Sequence, residues 1–431
     1  PTDNNNKMII VLLLFTTCNA YFNNWFPIVT VSSTDFTNPK QIRMFGKDFV
    51  VWKKNEDIIL QDDVCPHRCA PLSEGYIDNN SKNLRCAYHG WEFDESGENT
   101  CIPQSPNKIK STNACVKTYQ TIEYGDMLWG YFGNSKIDYL PEHYYKLTNP
   151  DTFMRELPYS FHILLENFFD PAHVHFAHHK LQSKRENGSP IDVKLIYNMN
   201  TTFTIEFEDF PKNNSTKQIG RMNFQMPCHY FLNSVKTQND ILNYIHIFIV
   251  PIQEDKTRIF IHYDFNKNNK FYKMYRFFPR WLKHMNTNLF LDSDTLILHK
   301  QEQYLNNNNS YHDHKEYYMP TTSDKSIILY KKWIKRVLPT IPYFRKIKEN
   351  KELTRNEILN RYEQHTKHCT FCRDALRKSE RFKILGTIFF TCAFIYTKNI
   401  FLLFLALGNY LVLDKFKQQF IYKDYVHNLI K

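Results

Sequence analysis

The chain has 431 residues, with 55 lysines and arginines against 44 aspartates and glutamates, a net charge of +11 and 16% aromatic residues. That length makes two domains or one large one, with enough apolar sequence for real cores. Its ten cysteines lack the dense, even spacing of a disulfide scaffold. No nucleic-acid-reading motif accompanies the positive charge, so nucleic acid is not expected as a partner.

In chain order, residues 1–22 read as a targeting segment. Met8 is a plausible start, and residues 8–20 form a short apolar run ending in small and polar residues, the pattern of a cleavable signal. A buried N-terminal strand is the alternative. The junction Ala20-Tyr21-Phe22 resembles the cleavage site of plastid pre-sequences.

Residues 23–140 read as a small all-β domain. Gln41–Phe45, Phe49–Lys53 and Ile58–Asp62 alternate as strands, with Gly90, Gly97 and Gly125 at turns. Within it lie Cys65-Pro66-His67 and, after eighteen residues, Cys86-Ala87-Tyr88-His89. One cysteine and one histidine per loop suit a Rieske [2Fe-2S] cluster, with both thiolates on one iron and both imidazoles on the other. Zinc is the alternative for such a donor set, although a zinc finger groups its cysteines together. Cys69 has no matching thiol on the second loop and is expected to be a small packed residue.

Residues 141–330 read as a second domain. Thr202–Phe207, Tyr244–Val250 and Arg258–Asp264 alternate as strands of an antiparallel sheet with one covered face. Residues 270–305 turn helical, with Phe271, Met274, Tyr275 and Phe278 as a core-facing stripe. Ahead of the sheet, Glu166–His179 packs four histidines and two carboxylates into fourteen residues. Two histidines and a carboxylate make the facial triad of non-haem Fe(II) oxygenases. His173 and His178 are the expected pair. Five residues on a regular helix would turn them about 140° apart, so the backbone must break between them. Asp170-Pro171 suits a fresh helix start, and Asp170 either caps it or accepts a bond from a ligating imidazole. His175 and His179 have weaker claims. The third ligand is expected to be Asp294, with Asp292 as the other choice.

Residues 331–381 form a basic linker containing Cys369 and Cys372, the pattern of a segment facing anionic lipid. Within 382–415, Ile384–Tyr396 and Ile400–Leu413 are apolar runs split by Thr397-Lys398-Asn399. Each is shorter than a full span of about 20 residues, which points to a membrane-anchoring hairpin, with a soluble helical hairpin as the alternative. Residues 416–431 read as a polar tail.

Taken together, C-P-H-R-C-A-P-L-S-E-G, C-A-Y-H-G-W, Ile102-Pro103-Gln104 and L-L-E-N-F-F-D-P-A-H-V-H-F-A-H-H at 164–179 resemble the pheophorbide a oxygenase and chlorophyllide a oxygenase family of Rieske non-haem iron oxygenases. The resemblance implies an α+β fold: an all-β Rieske domain, an antiparallel sheet with helices (helix-grip or START-like), and a C-terminal membrane hairpin. It implies a [2Fe-2S] cluster on Cys65, His67, Cys86 and His89, and one mononuclear Fe(II) on His173 and His178. It also implies electrons from ferredoxin or a ferredoxin-like reductase, a head-to-tail homotrimer with Asp170 bridging subunits, O2 and a tetrapyrrole as substrates, and a plastid membrane location. His365-Thr-Lys-His-Cys369-Thr-Phe-Cys372 resembles the family's C-x-x-C segment, implying a redox pair open to a thioredoxin. His175 stands where the family is expected to have proline, which leaves it as a competing ligand.

Overall fold

The computed structural model describes residues 21, 23–105, 111–134, 137, 139–141, 147, 151–210, 212, 217–237, 240–265, 274–308, 317–337 and 352–427. The signal-like run at 8–20, Phe22, Phe271, and parts of the basic linker and polar tail lie outside the described residues.

The first ten strands are β1 (Trp25–Thr30), β2 (Lys40–Met44), β3 (Lys47–Lys54), β4 (Asp57–Asp62), β5 (Tyr76–Ile77), β6 (Leu84–Arg85), β7 (Glu92–Phe93), β8 (Asn99–Cys101), β9 (Thr118–Tyr124) and β10 (Met127–Tyr131). They form a six-stranded sheet in the order β1-β10-β9-β4-β3-β2 and a small sheet in the order β5-β6-β7-β8. Strand alternation places the site. On β3, Phe49 and Val51 face the main core, whereas Val50 and Trp52 face a second core that contains Cys65, Leu72, Leu84, Cys86 and Phe93. The two sheets thus clamp the cysteine ends of both ligand loops.

Seven more strands, β11 (Thr152–Leu157), β12 (Ile191–Asn198), β13 (Thr202–Asp209), β14 (Gln218–Gln225), β15 (His229–Thr237), β16 (Asp240–Gln253) and β17 (Lys256–Phe265), make an antiparallel sheet. Its order is β11-β17-β16-β15-β14-β13-β12. The two domains share the main core. Phe45 and Gly46 of the first domain donate backbone N–H bonds to the Pro251 and Ile252 carbonyls at 3.0 and 2.8 Å, and Trp129 meets Phe248 edge-on.

Helices α1 (Phe161–Phe168) and α2 (Val174–Ala177) precede β12, and α3 (Arg280–Asn307) follows β17. After them come α4 (Lys325–Val337), α5 (Arg355–Ile358), α6 (Arg361–Gln364), α7 (Thr370–Thr397) and α8 (Phe401–Ile421). In the described part of the expected aromatic stripe, Tyr275 is half-buried and the other two residues are not core. Helix α3 starts after Pro279, and Met274 and Phe278 are exposed, because the stripe precedes the helix that packs on the sheet.

A fully buried ion cluster fixes α3. Arg155 on β11 donates to Asp292 Oδ1 at 2.7 Å and to Asn288 Oδ1 at 2.9 Å, while Arg361 Nε on α6 donates to Asp292 Oδ2 at 2.6 Å. Gln364 Oε1 accepts a further bond from Arg155 at 2.7 Å.

Helices α7 and α8 pack antiparallel and reverse at Lys398, whose φ of +54° closes the turn. Among the described residues no helix is long and apolar enough to cross a membrane, so the expected membrane-anchoring hairpin has no spanning helix to support it. The hairpin does leave apolar side chains exposed on both helices, including Leu385, Phe389, Phe404 and Leu411.

Replacing Asp292 with Asn leaves two buried guanidinium groups short of charge. The expected loss is about 3–5 kcal/mol, read by chemical denaturation of the full chain.

Candidate metal centres

The two cluster loops are built alike. Cys65 donates its N–H to the Ala70 carbonyl at 2.8 Å, and Cys86 donates to the Trp91 carbonyl at 2.9 Å. In each loop the cysteine carbonyl accepts the N–H four residues on, from Cys69 at 2.9 Å and Gly90 at 3.0 Å. Both of those residues have positive φ, +57° and +73°. Cys69 is therefore an exposed turn residue rather than a packed one, since it occupies the place that Gly90 fills in the second loop. A Cβ on Gly90 would sit 3.1 Å from Pro103 Cγ, and Gln104 donates to the His89 carbonyl at 2.9 Å, so the Ile102–Gln104 segment braces the second loop.

The four side chains fit a binuclear cluster. Cys65 and Cys86 are buried, and burial together with the neighbouring Cys86 thiol pushes the Cys65 thiol up, so a cation is needed to hold Cys65 as a thiolate. The His67 and His89 rings lie 4.6 Å apart, with His67 stacked on Trp91 and more exposed than the sulfurs. His89 Nδ1 is buried without a hydrogen-bond partner, an orphaned lone pair where an iron would sit. No three of the four ligand atoms converge on one point as a single zinc ion requires. That argues for two metal positions.

The second centre forms where α1 ends. Ser160 caps α1 by accepting the Ile163 N–H at 3.3 Å, and Asp170 Oδ1 accepts the Ala172 N–H at 2.9 Å. The chain breaks and restarts there, which brings His173 and His178 onto one side. His173 Nε2 lies 3.3 Å from His178 Nε2, and Asp294 Oδ2 lies 3.5 Å from His178 Nε2 and 4.0 Å from His173 Nε2. Bonds of about 2.1 Å at right angles give ligand edges near 3.0 Å; the edge between the two histidines is close to that, and the two edges to Asp294 are longer.

The outer nitrogens settle the tautomers. His173 Nδ1 bonds to the Asp170 carbonyl, which can only accept. His178 Nδ1 lies 2.8 Å from Ser293 Oγ, which itself donates to the Phe290 carbonyl at 2.6 Å and so accepts from the ring. Both Nε2 atoms therefore point bare lone pairs at each other and at a carboxylate. Burial pushes Asp294 up to about 6 and holds His178 down to about 3. Such a cluster is repulsive without a cation and well formed with one.

The remaining candidates separate cleanly. Asp292 is not at the site, being committed to Arg155 and Arg361. His175 does not compete: its ring bonds Ser183 Oγ at 2.6 Å and Asp209 Oδ2 at 2.9 Å. His179 Nδ1 accepts from the Arg185 N–H at 3.0 Å. Asp170 reaches His173 through its carbonyl; its half-exposed carboxylate closes the turn to Ala172 and does not cap α2, whose N-cap is His173. Sequence reasoning missed Ser293, which no motif marks.

Two cavities meet at the triad, and both are lined by Asp170, His173 and Asp294. One, of roughly 270 Å³, runs between α3 and the sheet against Met222, Tyr230, Ile247 and Phe290. The other, of roughly 680 Å³, opens beside Glu166, Tyr317 and His427.

Residues 24–120 match the family described as Rieske [2Fe-2S] domain, and residues 224–311, which include Asp294, match the family described as pheophorbide a oxygenase. Chloroplastic pheophorbide a oxygenase of Oryza sativa subsp. japonica is 28% identical, over 94% of this chain and 84% of that protein. Chloroplastic flavonoid 8-hydroxylase 2 of Ocimum basilicum is also 28% identical, over 84% of this chain and 75% of its own length. Among solved structures, dicamba monooxygenase bound to dicamba shares the fold, with a TM-score of 0.57 at 15% identity over 74% of this chain and 97% of its own. The two domains and their two metal centres define a Rieske-type non-haem iron oxygenase. Within that class, the chain is similar to the pheophorbide a oxygenases, with residues 224–311 matching that family.

Ser293→Ala removes the acceptor that orients His178. Mononuclear iron affinity is expected to fall roughly 10–100-fold, while the electron paramagnetic resonance signal of the reduced cluster stays at wild-type intensity.

Proposed function

We propose that the chain takes electrons from ferredoxin or a ferredoxin-like reductase and uses O2 to oxidise a chlorophyll-derived tetrapyrrole of the pheophorbide a or chlorophyllide a type. The convergence of His173, His178 and Asp294 where two cavities meet carries this reading, because a metal held by these three residues would lie beside a substrate-sized space. When bound, the cluster relays single electrons and the mononuclear Fe(II) activates O2. Cys65, His67, Cys86 and His89 would hold the cluster. His173, His178 and Asp294 would hold the Fe(II). Met222, Ile247 and Phe290 keep water from the reacting face, and Glu166 and Tyr317 supply polar contacts at the wider mouth.

The cluster's imidazole edge faces outward, with His67 exposed beside Val64 and Tyr88. This supports transfer to a neighbouring subunit of a head-to-tail homotrimer, with the half-exposed Asp170 carboxylate as the bridge. The chloroplastic relatives support a plastid location. The second reading is a smaller aromatic substrate, favoured by the 270 Å³ of the inner cavity and by the flavonoid hydroxylase relative.

With reduced ferredoxin, oxygen uptake by the full chain is expected with pheophorbide a or chlorophyllide a and not with a flavonoid or sterol panel. Asp294→Ala is expected to bring uptake to background while the cluster still accepts electrons. Uptake with flavonoids alone favours the smaller substrate.

The hairpin is proposed to seat in one leaflet of a membrane. Its apolar surface lies away from a polar base where Lys383 pairs with Asp414 at 3.0 Å, and patches of this kind mark membrane or partner sites. The full chain is expected to co-sediment with anionic liposomes, and Leu385→Asp with Phe389→Asp to abolish it. Undiminished binding by the double variant removes the proposal.

A further inference from the structure

A third cluster of donors lies outside both iron centres. The His284, His365, Cys369 and Cys372 ligand atoms all lie within 4.8 Å of one another, and all four residues are buried, at 3%, 1%, 2% and 1% exposure. His365 Nε2 is 3.2 Å from Cys372 Sγ, and His284 Nδ1 is 3.4 Å from Cys369 Sγ and 3.6 Å from Cys372 Sγ. A tetrahedral ion with bonds of about 2.0 Å to nitrogen and 2.3 Å to sulfur has N···S edges of about 3.5 Å. The three measured edges bracket that value.

The outer nitrogens are arranged for ligation. His365 Nδ1 donates to the Met154 carbonyl at 2.6 Å, which leaves Nε2 bare toward the sulfurs. His284 Nε2 lies 3.6 Å from Asp151 Oδ1, beyond hydrogen-bond length, and its Nδ1 faces both sulfurs. A carboxylate behind one imidazole and a backbone carbonyl behind the other are the usual outer partners of metal-bound histidines. Every donor is nitrogen or sulfur, the set is closed to solvent, and no fifth position is open, which suits a structural zinc ion.

We propose that His284, His365, Cys369 and Cys372 bind one structural Zn2+. The site ties three segments together: α3 through His284, the turn before α7 through His365, and the first turn of α7 through Cys369 and Cys372. Phe420 at the foot of α8 packs on both cysteines, and its carbonyl accepts from Thr366 Oγ1 at 2.6 Å. Zinc thus anchors the root of the α7–α8 hairpin to the helix that carries Asp294. A thioredoxin-reducible disulfide at the same residues would need an accessible sulfur, and both sulfurs are enclosed.

The test is metal analysis of the full chain with its iron centres loaded, together with zinc K-edge X-ray absorption. The expected result is one zinc per chain, held by two sulfurs at about 2.3 Å and two nitrogens at about 2.0 Å. Cys372→Ser and His365→Ala should bring zinc well below one equivalent. The wild-type spectrum decides even if the variants fail to fold. A zinc-free wild-type protein with a Cys369–Cys372 disulfide overturns the proposal, as does zinc ligated only by nitrogen and oxygen or a fourth iron in place of zinc.

Discussion

Asp292, held between Arg155 and Arg361 in the protein interior, sets the rotation and height of helix α3, and both metal-binding arrangements on that helix follow. Successive helical residues turn by about 100°. Once Asp292 faces the arginines, Ser293 and Asp294 are carried round to the His173–His178 side. Asp294 lies ten residues beyond His284, roughly 15 Å of helix at 1.5 Å per residue, so one rod spans the two sites. Near its far end, Glu302 accepts the Ser160 N–H at 3.1 Å and so holds the start of α1, the helix that leads into the histidine turn. An ion cluster this deep contributes little net stability compared with an apolar replacement. Its worth lies in allowing one register.

Electrostatics and shape divide the labour between the two iron centres. At the cluster loops, Cys65 and Cys86 are buried between the six-stranded sheet and the small sheet while His67 is exposed, so a cluster held there would have its thiolate end dry and its imidazole end outward. At the mononuclear site, hydrogen bonds donated to the Asp170 carbonyl and to Ser293 Oγ hold both imidazoles with their lone pairs inward. The metal's charge is what reconciles these groups with burial.

Much of this was legible in the residues. Cys65, His67, Cys86 and His89 stand out because a cluster dictates both ligand type and loop length. The strands at 202–207, 244–250 and 258–264 stand out because alternation of period two survives wherever one sheet face is covered. Asp292 and Asp294 could not be separated, because both are buried and both lie on α3. Only the positions of Arg155 and Arg361, distant in sequence, distinguish them. The α3 face is polar as well as buried, with His284, Asn288, Asp292, His299 and Glu302 turned inward, so its periodicity carries little apolar signal. The Met274 and Phe278 stripe misled for the converse reason: its spacing is helical, but it lies ahead of the helix that packs. His284 carries no local mark at all, and it joins Cys369 and Cys372 only in the folded chain.

The central claim is that α3 completes a mononuclear iron site beside a separate two-iron relay. Mössbauer spectroscopy of the full chain loaded with iron-57 and reduced under anaerobic conditions tests it most directly. The account predicts two irons in a Rieske-type signal and a third as high-spin ferrous iron, with the third lost selectively in Asp294→Ala. Wild-type protein that fills the cluster and takes up no third iron would contradict it.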